Sequence, residues 1–181
     1  MDAPTPPHTS LFLDLLGPQA AALPPRVRQL HALPMPVELR GRAQAQSARG
    51  LPARLCAFVA GLPRADGEVS VRVRFASPAA GVAVWTRVFG ASTFRSRLRA
   101  VNGELHEQLG PVRIRFRLRG DAEGIVWEPL GIDVLRIPLP RMLLDGISAR
   151  ESERDGRYRF DVAAALPIIG LIVRYEGWLD L

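Results

Sequence analysis

From Glu68 to the C-terminus, apolar residues recur at nearly every second position. Strand side chains alternate between two faces, so a chain with this period must be built mainly of sheet. EVSVRVRF puts Val69, Val71, Val73 and Phe75 on one face, and Glu68, Ser70, Arg72 and Arg74 on the other. VRIRFRLR repeats the pattern, with Val112, Ile114, Phe116 and Leu118 inward and arginines outward. Between them run VAVWTRVF, TFRSRLRAV and ELHEQL, with Asn102-Gly103 as a type I′ hairpin signal. IVWEPLGIDVLRIPLP reads as one or two strands interrupted by Pro129 and Gly131, and LPRMLLDG as a connection or a single helical turn. ISARESER, RYRFDVAAAL and LIVRYEGWLDL bring the total to about nine or ten strands in hairpin succession.

Apart from that one turn, helical signals lie before Glu68. Residues 1–22 are rich in Pro and Ala and read as an N-terminal tail, disordered over 1–10, with a short helical turn at Leu11–Leu16. Residues 23–181 read as a single β-rich domain. In LPPRVRQLHAL, Pro24 and Pro25 suit a helix start, and Val27, Leu30 and Leu33 have helical spacing. Residues 37–46 are open between strand and loop. In GLPARLCAFVAGLP, Leu51, Leu55, Phe58, Val59 and Leu62 form the stripe of an amphipathic helix closed by Gly61 and Pro63.

A long antiparallel meander with one polar face must bury the other. That many strands in one open sheet would leave edges exposed, and closure or strong curling removes them. The expected fold is therefore mainly β, an antiparallel meander curled into a half-barrel or closed barrel, with short N-terminal helices plugging one side. Barrels of this size can hold a small apolar ligand.

The net charge of +6 raises nucleic acid as a partner. However, all 24 basic residues are Arg, and many alternate along strands as a solvated face. Together with the abundant Ala, Gly and Pro, this points to a GC-rich coding bias, so nucleic acid is disfavoured. The single cysteine, Cys56, excludes an internal disulfide and reads as a small core hydrophobe in a reducing, cytoplasmic compartment. The longest apolar run, 162–173, contains Pro167 and Gly170 and is too short to span a bilayer.

No dinucleotide fingerprint, phosphate loop, nucleophile elbow or zincin motif is present, and no cofactor is expected. His8, His31 and His106 are far apart in sequence, which gives no basis for a metal site, and parity puts His106 on an outer face. The informative signal is polar residues on apolar faces. Ser96 lies between Phe94 and Leu98, Glu107 between Leu105 and Leu109, and Arg87 between Trp85 and Phe89. These strands are consecutive. An unpaired buried charge costs several kcal/mol, so Arg87 and Glu107 are expected to pair, with Ser96 close by. One reading is a structural ion pair. The other is a polar floor in an apolar pocket, with Arg87, Ser96, Glu107, Trp85, Phe94 and Tyr175 as the ligand-binding residues. Phe89, Trp127, Tyr158, Phe160 and Trp178 would complete the walls.

LPPRVRQLH, WTRVFG followed by TFRSRL, LHEQLGPVRIRFRL, IPLP and the ending YRFDVAAALPIIGLIVRYEGWL together resemble the bacterial domain-of-unknown-function family numbered 4166, over residues 23–179. That family's domains occur alone or appended to a saccharopine-dehydrogenase-like domain. The resemblance implies a fold and a bacterial origin but no reaction. It also implies that any oxidoreductase-like partner is a separate chain here.

These readings converge on a calycin-like domain that binds a small apolar or lipid-like ligand. The alternative is an accessory module docking to a dehydrogenase-like partner. An enzyme using Glu107 as acid or base is a third reading.

Overall fold

The structure, a computed structural model, describes residues 10–181. Residues 1–9 of the expected tail, His8 among them, lie outside the described residues. The helices are α1 (Leu11–Leu16), α2 (Pro25–Ala32) and α3 (Leu51–Val59). The strands are β1 (Val37–Ser47), β2 (Gly67–Ala79), β3 (Val82–Phe89), β4 (Ser92–Val101), β5 (Glu104–Leu109) and β6 (Val112–Asp121). They continue with β7 (Gly124–Val134), β8 (Ile137–Pro138), β9 (Ile147–Arg154), β10 (Arg157–Leu166) and β11 (Gly170–Leu179). Short 3-10 turns lie at Gly17–Ala22 and Arg141–Leu143.

Ten strands close an antiparallel barrel, and β8 pairs only with β7. The ring runs in chain order from β1 to β7, steps to β9, and returns through β10 and β11 to β1. The β1–β11 seam pairs Gly41 with Leu179 through to Ser47 with Val173. A methyl group at Gly41 would collide with the Trp178 carbonyl, so this seam closes because position 41 has no Cβ. Residues 37–46, open in sequence terms, are thus the strand that completes the ring. Pro129 and Gly131 do not divide β7. The β6 register shifts between Arg115 and Phe116, partnered by Gly131 and Pro129, so one extra residue bulges and the proline sits where the ladder is interrupted.

Strand direction sorts the connections into two ends. One end carries α1, α2 and the turns 80–81, 102–103, 122–123 and 155–156. The other carries α3, the turns 90–91 and 110–111, residues 135–146 and the turn 167–169.

The first end is plugged. Leu11, Phe12, Leu16, Val27 and Leu30 are buried in the same core as the barrel's inner face. Pro24 gives α2 no side-chain cap, and β9 supplies one instead: Glu153 accepts the Arg26 amide at 2.8 Å. A carboxylate suits the positive end of a helix. The Gln19 side chain accepts the Gly120 amide at 2.9 Å, which ties the 3-10 turn to β6.

α3 forms as the spacing predicts but faces the other way. Its buried residues are Ala53 and Ala57, packed with Ile172 of β11. Leu51 and Phe58, at 81% and 71% exposure, project from the unplugged end. The small alanine face allows close approach to the sheet, and the large stripe is left outside. Trp178 also departs from expectation. It points out of the barrel, opposite in parity to Tyr175, where Arg157 lies 4.5 Å over its ring.

Candidate functional site

The barrel interior holds a cavity of about 410 Å³. Its walls are almost wholly apolar, with Phe89, Phe94, Phe116, Trp127, Phe160 and Tyr175 among the lining residues. It extends toward the unplugged end. There Leu55 and Val59 line the cavity and are also exposed to solvent, which marks the mouth. The β7–β9 ladder stops at Trp127–Ala149, so the wall parts beyond that pair. Leu139 from the 135–146 segment, with Ile132 and Ile147, lines the gap.

On β3, parity turns Trp85, Arg87 and Phe89 inward. Arg87 is opposite Phe94 on β4, and Glu107 on β5 is opposite Leu98, so the guanidinium must reach diagonally across two strands. It donates to the Ser96 hydroxyl at 2.8 Å and to the Glu107 carboxylate at 3.5 Å. It also lies 4.7 Å over the Trp85 ring and 5.2 Å over Phe94. Aromatic faces and one carboxylate thus offset the cost of burying this charge. A guanidinium carries five N–H donors, and the Glu107 contact is long and single-point, so Arg87 keeps capacity for a further acceptor.

A second polar group sits nearer the plug. Glu151 on β9 is buried and accepts from Trp127 Nε1 at 3.2 Å. Its other oxygen lies 2.6 Å from His31 Nε2 on α2, where the carboxylate makes Nε2 the donor. His31 stacks on Phe12 at 4.2 Å, and Phe12 on Trp85 at 5.1 Å, so aromatic packing joins plug and barrel. Burial, and then the charge and hydrogen bond of Glu151, push the Tyr158 hydroxyl well above its usual range. Burial likewise lifts Tyr175 to about 12, with Arg87 acting the other way and Glu107 adding to the rise. Both phenols are therefore protonated at neutral pH and can donate or accept.

The structure brings Arg87, Ser96 and Glu107 into contact as the parity argument expects. It sets Trp85, Phe94 and Tyr175 on the cavity wall. Cys56 is half-buried beside the mouth, packed against the small Ala53, Ala57 and Ile172 cluster and outside the main barrel core. His106 sits on the outer face, near Glu104 at 3.3 Å. Glu151 and His31 did not emerge from the sequence, where spacing hints at the inward facing of each but not at their pairing. Glu151 shares parity with Ile147 and Ala149, and His31 follows Val27 by four residues. Among the described residues, no group of three or more His, Cys, Asp and Glu side chains could hold a metal ion.

A family model described as a domain of unknown function (DUF4166) matches residues 23–179, nearly the whole chain. The motif resemblance covers the same span. No curated protein matches the chain.

Proposed function

The chain belongs to the DUF4166 family, a domain of unknown function, and on its barrel geometry we propose that it binds one small apolar or lipid-like ligand. The observation that carries this reading is a cavity of about 410 Å³ with apolar walls and a few buried polar side chains. Ligand sites are typically concave, mostly apolar and roughly 300–1,000 Å³ in volume, with few polar groups to fix orientation. In this reading the aromatic walls take up the ligand body, in the manner of calycin-like barrels. Arg87 and Glu107 set its polar end, Ser96 acts there by holding the guanidinium, and Trp85, Phe94 and Tyr175 bound that end. Arg87 supplies the spare donors, so the polar end is an acceptor such as a carbonyl, hydroxyl or carboxylate oxygen. No covalent step and no cofactor enters this reading, and the lone cysteine fits a cytoplasmic setting.

Native mass spectrometry of protein purified from its host tests the proposal. A reproducible co-purified small molecule, at one per chain, is expected. Repeated recovery of the bare chain from several preparations would count against it. A second reading, an accessory module docking to a dehydrogenase-like partner, has one observation in its favour: the exposed apolar residues around the mouth.

A further inference from the structure

Most large hydrophobic side chains exposed among the described residues lie at one end of the barrel. Leu51, Leu55 and Phe58 project from α3 beside the mouth, and Val59 is partly exposed there. Leu135 projects from the turn after β7 and Ile137 from the adjoining β8, Met142 from the 3-10 turn that follows, and Ile168 from the β10–β11 turn. Val101 is the exception, at the plugged end. Four separate segments thus raise apolar tips around one opening.

The charges at this end are biased too. Arg49, Arg54, Arg64, Arg136 and Arg141 are exposed between or beside those tips, against two carboxylates, Asp66 and Asp145, in the same connections. At the plugged end the bias reverses. Asp14, Glu123, Asp155 and Asp180 stand in its connections and terminal segments, against Arg26 and Arg28. The outer wall between the ends is polar, with exposed Arg72, Arg74, Arg95 and Arg97 on its strands, so it does not suit hydrocarbon.

We propose that the unplugged end docks on an anionic lipid surface. The apolar tips enter the headgroup boundary, and the arginines pair with lipid phosphates. Apolar tips flanked by basic residues are the signature of interfacial binding, and each arginine near an anionic leaflet adds attraction that salt screens. Long basic side chains can keep their stems among lipid tails and their charge at the phosphates. The occupant is a bilayer and not a protein because the tips come from separate turns and surround the opening of an apolar cavity. Docking would join that cavity to the acyl region and let a lipid-like ligand enter without crossing water. Only this last step rests on the ligand-binding reading.

Flotation of the full chain with two kinds of vesicle tests the proposal: phosphatidylcholine alone, and phosphatidylcholine mixed with phosphatidylglycerol. The chain should float with the anionic vesicles at low salt, lose that association as salt rises, and bind neutral vesicles weakly. Leu51→Ser and Phe58→Ser, both at exposed positions, should each lower the bound fraction at limiting lipid by about tenfold. Arg72→Gln with Arg74→Gln on the outer wall should lower it far less. The proposal is overturned if the chain does not float with anionic vesicles, or if the wall variant loses as much binding as the α3 variants. Light scattering that shows a dimer broken by Phe58→Ser, with no flotation, would assign this end to a second copy. Flotation needs no cargo. Docking without uptake of an apolar probe would leave this proposal standing and remove the ligand reading, and uptake without docking would do the reverse.

Discussion

Arg87 and Glu107, on strands separated by β4, meet inside the barrel with guanidinium and carboxylate 3.5 Å apart. Each is only 8% exposed, so neither charge has water as a ready substitute partner. Removing one partner of a buried pair leaves the other uncompensated, and typically costs about 3–5 kcal/mol. Glu107→Gln and Arg87→Met should each destabilise the fold by that order in denaturant titration. The double change should recover much of the loss. Simple addition of the two single effects would show that the residues are not coupled.

The chain has two tyrosines, Tyr158 and Tyr175, and both face the cavity. The folded pKa of Tyr175 is raised to about 12 from an ordinary value of 10.0. The folded chain therefore keeps a proton that the unfolded chain gives up. Its contribution is intact below pH 10 and is lost as pH rises toward 12, by roughly 3 kcal/mol. Tyr158 shifts in the same direction. Ultraviolet titration should find no tyrosinate near pH 10 in the native protein, then a late rise that coincides with unfolding. In denaturant both phenols should ionise together near pH 10. Ionisation of either at its ordinary value with the fold intact would contradict the burial described.

Strand positions and the three polar residues on β3, β4 and β5 were legible because alternation needs only local sequence. What was not legible depends on contacts distant in the chain. The pairing of β1 with β11 rests on Gly41 meeting the Trp178 carbonyl, more than a hundred residues away. His31 and Glu151 are likewise 120 residues apart, so local spacing can hint at the facing of each but not at their contact. The facing of α3 eluded the pattern for a different reason. An apolar stripe normally marks the core side, yet here the small residues Ala53 and Ala57 make the buried contact.

Gly41→Val should prevent the barrel from closing cleanly. The new side chain would meet backbone on β11, which cannot swing aside as a side-chain tip can. A loss of at least about 3 kcal/mol is expected. Thermal unfolding checks it, and an unchanged midpoint would mean that the β1–β11 seam is looser than described.

α3 should be the first element to open. It is held by two alanines and a small satellite cluster, separate from the main core. Segments with little buried apolar contact open at the lowest free energy. In hydrogen–deuterium exchange the Leu51–Val59 amides should exchange well before those of β3, β4 and β10. Protection equal to the barrel strands would contradict the weak attachment of α3 described here.

Ligand uptake by the cavity can be read by titration with the fluorescent amphiphilic probe 1-anilinonaphthalene-8-sulfonate. Ala164 lines the cavity, and Ala164→Phe fills part of it without removing a polar contact. The native protein should bind one probe saturably and quench the Trp85 and Trp127 emission. The filled variant should bind at least about tenfold more weakly, because lost space removes apolar contact worth more than 1.4 kcal/mol. It should keep an equal or higher thermal midpoint. Absence of saturable binding by the native protein, or equal binding by both, would contradict the account.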